Sequence, residues 1–361
     1  VKYVDEFRNF KIARDIAGAI SSHARGLGGV NFMEVCGTHT MAVERFGIRR
    51  MLPRDINLIS GPGCPVCVTP KDYIDRAIGL AGIKDVTVAS FGDMLKVPGS
   101  DSTLAQERGK GKVRVVYSVL DAMDFAAKNP DKKIVFLGIG FETTVPTVAA
   151  SMELARKRKI RNFFVYSGHK VMPPAMDLLA RDKRINIQGF LCPAHVSAVI
   201  GTGPYAGISK KYKIPCVISG FEPLDILQSI LMLVKQLKSG RSEVENQYAR
   251  VVRRSGNRKA LALMSRVFSE GDSEWRGMGI IPKSGLSVNK AYSDLDAGKV
   301  FRLPRVITRP DKGCVCGEVL KGIKTPRDCR LFGKSCTPEN PRGACMVSGE
   351  GACAAYYRYR K

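Results

Sequence analysis

The sequence predicts an α/β protein, with two successive parallel-sheet domains facing a cleft and a small cysteine-rich C-terminal domain. Three observations carry this. Short β-branched or apolar runs alternate with helical patterns, as in parallel βαβ units. Each run ends in small, polar or sulfur-bearing residues. Beyond about residue 270 the periodicity fades while Gly, Pro and Cys rise, which suggests a unit held by something other than a hydrophobic core. The expected domains are 1–140, 141–256 and 257–361.

Phe7, Phe10, Ala13, Ile16, Ala17 and Ile20 recur at helical spacing and Gly26-Leu27-Gly28-Gly29 stops them, so an amphipathic helix opens the chain. Strands are expected at 31–35, 57–60, 86–90, 113–117 and 134–138, with helices at 73–80 and 119–127. A second series has strands at 163–166, 185–191 and 216–219 and helices at 149–158 and 172–180. Leu224, Leu227, Ile230, Leu231, Val234 and Leu237 give a further helix, with Pro223 at its start and Gly240 past its end. Ser242 with Glu245 forms a capping-box signature, which predicts one more helix running to Gly256.

Across 361 residues, 58 Lys and Arg stand against 33 Asp and Glu, a formal net charge of +25. The balance favours anionic partners without choosing among them. Nucleic acid is the weakest choice, because aromatic residues make up only 7% and no recognition module is visible. The longest apolar stretch, 134–150, is broken by Gly140, Glu142 and Pro146, short of the roughly 18 uninterrupted residues of a membrane span. Val1 to Glu6 lack a basic segment followed by an apolar one, so no secretory signal is read and a cytoplasmic location is expected.

The chemistry-bearing residues cluster just after the strands, where loops of an open α/β sheet converge on ligands. Cys36-Gly37-Thr38-His39-Thr40 follows the first strand and Gly61-Pro62-Gly63-Cys64-Pro65-Val66-Cys67 the second. Asp93, Glu142, His169, His195 and Glu222 occupy other strand ends, where each is a cleft candidate or a plain helix cap. Gly138-Ile139-Gly140 lacks the third glycine of a dinucleotide fingerprint. Cys64 and Cys67 suit a reversible disulfide or half of a zinc site, and buried apolar packing is the bland alternative. Cys36 offers a soft thiolate suited to iron or copper, with His39 placed for hydrogen bonding or proton transfer.

Six of the eleven cysteines lie near the C-terminus: Cys314, Cys316, Cys329, Cys336, Cys345 and Cys353. Four thiolates suffice for a [4Fe-4S] cluster and two are left over; zinc is the competing reading.

Taken together, these motifs closely resemble the hydrogenase maturation family HypD. The match is carried by Cys36-Gly-Thr-His-Thr40, Gly61-Pro-Gly-Cys-Pro-Val-Cys67-Val-Thr-Pro70, Gly140-Phe-Glu-Thr-Thr144, Gly220-Phe-Glu-Pro-Leu-Asp225 and Cys345-Met-Val-Ser-Gly-Glu-Gly-Ala-Cys353, in order along nearly the whole chain. The nearest departure is Val145, where the family pattern has Thr. The resemblance implies a scaffold on which the iron of [NiFe]-hydrogenase receives two cyanides and one carbon monoxide. It implies a HypC-type chaperone as partner and a HypE-type cyanide carrier, with HypF acting indirectly. Cys36 is then the iron thiolate, Cys64 and Cys67 a redox pair beside it, and Thr38 and His39 their polar surroundings. It also implies a C-terminal [4Fe-4S] cluster held by Cys314, Cys329, Cys336 and Cys353, with Cys316 and Cys345 as a nearby redox disulfide. A stand-alone iron-sulfur thiol-disulfide reductase is the alternative, in which Cys36 would be dispensable.

Overall fold

The computed structural model describes residues 4–303, 305–309 and 311–359, so Val1, Lys2 and Tyr3 of the leader reading lie outside them. Eleven strands are present among these residues: β1 Val30–Glu34, β2 Ile56–Ser60, β3 Val86–Ser90, β4 Val113–Val115, β5 Lys133–Gly138, β6 Phe163–Ser167, β7 Gly189–Pro193, β8 Cys216–Ser219, β9 Val244–Asn246, β10 Phe268–Trp275 and β11 Gly279–Val288. They form a sheet of order β2-β1-β7-β8-β9, a second of order β4-β3-β5-β6, and the hairpin β10-β11. Every pairing in the two larger sheets is parallel. The α/β class with two parallel sheets is therefore as the sequence predicts.

The path of the chain is not. The chain starts the first sheet with β1 and β2, leaves to build all four strands of the second, and returns for β7 to β9. A boundary at residue 140 would separate β5 from β6, which pair from Ile134 opposite Phe163 to Gly138 opposite Ser167. It would also divide β1 from β7, where Glu34 lies opposite Leu191. Local periodicity reveals a strand but carries no record of its partner, which is why the order was not legible.

Two further elements depart from expectation. The Ser242 to Gly256 segment is not a helix: Val244–Asn246 pairs with β8 as an edge strand, and Glu245 pairs with Arg241 instead of capping. Residues from 258 do not begin a separate unit either. Helix Arg258–Val267 and the hairpin place Met264, Val267, Phe268 and Leu286 in one core with Phe136 and Phe163 of the second sheet.

Helices Phe10–Ala24 and Pro223–Lys238 pack together against the first sheet, burying Ile20, Phe32, Ile226, Ile230 and Leu233. The opening helix starts where Asn9 accepts a hydrogen bond from the Ile12 N–H. The remaining core joins both sheets to the C-terminal segment, with Val88, Leu137, Phe190 and Ile218 in one cluster with Cys316, Cys345 and Cys353. No helix among the described residues is long and apolar enough to cross a membrane.

Candidate thiol and metal-handling site

Parallel pairing sends all the strand ends of a sheet in one direction, so the loops after β1, β2, β7 and β8 meet at one edge. Cys36 stands immediately before helix Gly37–Arg45, in extended backbone, with its side chain buried. The Gly37 N–H donates to the Gly63 carbonyl at 3.0 Å. A Cβ on Gly63 would lie 2.3 Å from the Cys36 backbone, so only glycine allows the two thiol loops to touch. Burial pushes the Cys36 thiol up to about 11, with the Glu350 carboxylate adding to the rise.

Cys64 and Cys67 form a disulfide, with Cα atoms 5.3 Å apart, at the start of the one-turn helix Pro65–Val68. Cys67 Sγ lies 3.9 Å from the Ala344 carbonyl, one residue from Cys345. The disulfide therefore sits between the Cys36 loop and the C-terminal thiols.

Polar groups complete the Cys36 surroundings. The Thr38 hydroxyl donates to Glu350 at 2.7 Å, and Glu350 also covers Gly37. His39 is buried, with Nε2 3.0 Å from both the Ser219 and the Gly220 carbonyls. Carbonyls only accept, so Nε2 carries the proton and Nδ1 a bare lone pair. That Nδ1 has no hydrogen-bond partner among the described residues. Burial lowers the imidazole to about 4, so His39 is neutral at physiological pH. Phe221 lies against both His39 and the exposed His195, with ring centroids 4.8 and 4.1 Å away.

The other candidates are held in structural bonds. Glu222 pairs with Arg8 and fixes the N-terminal segment. Exposed Asp93 accepts from the Ser348 hydroxyl at 2.8 Å. Glu142 is buried and accepts from the Met172 N–H at 3.0 Å, at the start of helix Met172–Arg181. Its second oxygen has no partner among the described residues, and burial raises the carboxyl to about 7.

All six C-terminal cysteines line one cavity, whose other side chains include Val315, Val319, Leu331, Phe332 and Met346 and nothing charged. Gly343 packs against two of these cysteines: a Cβ there would lie 2.5 Å from Cys314 Sγ and 3.6 Å from Cys316 Sγ. The Arg342 N–H donates to Cys336 Sγ at 3.3 Å. Among the described residues no three His, Cys, Asp or Glu side chains gather closely enough to hold a single metal ion. A four-iron cluster instead takes thiolates spread around a volume, and an apolar cavity ringed by sulfur fits that donor set.

Sequence reading placed Glu350 in a motif but gave it no role, because nothing local ties it to Thr38, 312 residues away. It likewise gave no role to Asp225, which accepts two hydrogen bonds from Arg250 and one from Gln247 beneath the Gly220 loop. Membership of the Gly220-to-Asp225 motif was the available signal for Asp225.

Such a frame, with Cys36 and the Cys64–Cys67 disulfide at its strand ends and six further cysteines around one cavity, defines a cysteine-rich α/β protein. Residues 11–360 match the family model HypD, described as the hydrogenase formation hypA family. The hydrogenase expression/formation protein HupD of Azotobacter chroococcum is 47% identical, covering 99% of this chain and 97% of that protein. The hydrogenase maturation factor HypD of Cupriavidus necator is 45% identical, covering 99% and 97%. A putative hydrogenase expression/formation protein of Methanocaldococcus jannaschii is 41% identical over 95% of each. The chain belongs to the HypD family of hydrogenase maturation factors.

Proposed function

We propose that this maturation factor is the scaffold on which the iron of a [NiFe]-hydrogenase acquires two cyanides and one carbon monoxide. Cys36 anchors the iron, which arrives as cargo, and a HypC-type chaperone shares it. A HypE-type carrier, supplied through HypF, delivers cyanide. The cytoplasm is the site of assembly. The observation that carries this reading is the continuous thiol arrangement, in which the Cys36 loop touches the Cys64–Cys67 loop through Gly63 and Cys67 reaches Ala344 beside Cys345.

Iron bearing π-accepting cyanide and carbonyl ligands is soft, which suits a thiolate anchor. Binding requires Cys36 to lose its proton. The Glu350 carboxylate, which accepts from the Thr38 hydroxyl and lies against Gly37, is placed to take that proton, while neutral His39 braces the loop against β8. Reducing the Cys64–Cys67 disulfide takes two electrons and two protons and yields two thiols. Cys314, Cys329, Cys336 and Cys353 are the proposed ligands of a [4Fe-4S] cluster, which supplies single electrons when bound. Cys316 and Cys345 then form the dithiol between that cavity and Cys67.

Infrared spectroscopy of anaerobically purified protein with its HypC-type partner tests the reading. Bands of metal-bound cyanide and carbon monoxide are expected in the wild type and absent in Cys36→Ala. A silent spectrum in a partner-bound, cluster-loaded sample overturns the scaffold. Disulfide reductase activity unchanged by Cys36→Ala would then favour the stand-alone reductase.

A further inference from the structure

The tip of the β10-β11 hairpin lies between the two redox regions, and one residue there bonds to both. Arg276 is 8% exposed. Its backbone N–H donates to the Val68 carbonyl at 2.8 Å and its Nε to the Thr69 carbonyl at 2.9 Å. These carbonyls follow Cys67 directly. A second group of the same side chain, Nη1, donates to Asp311 at 3.1 Å. Asp311 begins the turn that ends at Cys314, whose N–H donates back to the Asp311 carbonyl at 3.3 Å. The next residue, Gly277, has φ +74° and packs against Gly317, beside Cys316. The remaining guanidinium nitrogen is buried with no partner among the described residues.

We propose that Arg276 is the positioning residue that sets the redox equilibrium of the Cys64–Cys67 pair and couples that pair to the C-terminal thiols. This rests on the reading of Cys64–Cys67 as a working redox couple. A ring-closing disulfide needs its two cysteines held near one geometry. Two donors from one rigid guanidinium-bearing residue fix the carbonyls that end the Cys64–Cys67 turn, and so favour the closed ring over the open dithiol. The Asp311 bond ties the same residue to the segment that enters the thiol cavity. Lysine cannot replace it, because a single ammonium lacks the planar fork that reaches Thr69 and Asp311 together.

The coupled step is a balanced exchange. Cys316 and Cys345 thiols lose two electrons and two protons to become a disulfide, and the Cys64–Cys67 disulfide gains them to become two thiols. In a test with glutathione the same pair is reduced by two glutathione thiols, which leave as one glutathione disulfide.

The full-length protein is equilibrated in glutathione buffers of graded ratio, trapped by alkylation and mapped by mass spectrometry. Arg276→Met is expected to shift the Cys64–Cys67 equilibrium about tenfold towards the dithiol, about 30 mV for a two-electron couple. Arg276→Lys keeps the charge and the backbone bond to Val68, and is expected to shift it in the same direction by less. It also serves as the folded control should Arg276→Met lose its far-ultraviolet circular dichroism. A wild-type pair that never titrates overturns the redox reading of Cys64–Cys67. A wild-type pair that titrates, with Arg276→Lys and any folded Arg276→Met matching it within twofold, overturns the role of Arg276 alone.

Discussion

Glu142 shows how a residue at a strand end can be structural and still govern pH behaviour. Its carboxyl is buried beside the Met172 N–H, and burial raises it to about 7. A carboxyl whose folded value exceeds its unfolded one binds more protons when folded. Its contribution is complete below about pH 4.5 and is lost as the pH rises through about 7. Glu142→Gln keeps an acceptor for Met172 and cannot ionise. The variant is expected to gain up to about 3 kcal/mol over the wild type between pH 5 and pH 8. Glu34, also raised to about 7 by burial, keeps its own share of the slope. Paired urea melts at the two pH values check this, and an unchanged slope rejects the assignment. His39 acts in the opposite direction: lowered to about 4 by burial, it withholds a proton that the unfolded chain takes up, so its contribution is lost as the pH falls below about 6.5.

Among elements, the loop after β8 depends on a charge pair supplied from beyond β9. Asp225 is fully buried near the start of helix Pro223–Lys238, and both its oxygens accept from Arg250, at 2.8 and 2.6 Å. A Cβ on Gly220 would lie 2.3 Å from the Asp225 carboxylate, so the loop wraps closely over the pair. Removing the cation strands a buried carboxylate. Arg250→Met is expected to destabilise the protein by about 3 kcal/mol. It should also loosen Phe221 from His39 and His195, read as broadened histidine ring signals in nuclear magnetic resonance. A loss below about 0.5 kcal/mol, the range of ordinary surface substitutions, contradicts the account. The sequence marks Asp225 as part of a motif, but its partner lies across the turn that was expected to be helical.

At the scale of the whole molecule, the C-terminal segment is both lid and wall. Glu350 meets Thr38, Ser348 meets Asp93 and Ala344 meets Cys67, so this segment touches loops from both sheets. Between the short helix Cys316–Leu320 and residue 343 its regular structure is one short turn at Pro326–Asp328 and a single bridge from Phe332 to Cys336, with Lys324, Arg330 and Lys334 exposed. A segment with so little regular structure gains order when a metal group crosslinks its thiols. Reconstitution with iron and sulfide is expected to slow tryptic cleavage after Lys324, Arg330 and Lys334 at least tenfold. Equal cleavage of loaded and unloaded protein argues against a cluster in this cavity. The +25 charge adds a positive field that favours anionic partners.

The sequence by itself determined where most strands and helices lie, and which loops carry thiols. Alternation, helical spacing and Gly or Pro stops act within a few residues, so Val30–Glu34 and Pro223–Lys238 were legible without a partner in view. Ordered motifs from Cys36 to Cys353 also carried the family, since its chemistry requires particular residue types. Only the tertiary structure decided that β1 pairs with β7 and that Glu350 meets Thr38. It alone showed Arg276 tying Thr69 to Asp311. Those contacts join segments far apart in the chain, and they form because burying the two sheets against one C-terminal segment leaves charged and polar groups that must find partners inside.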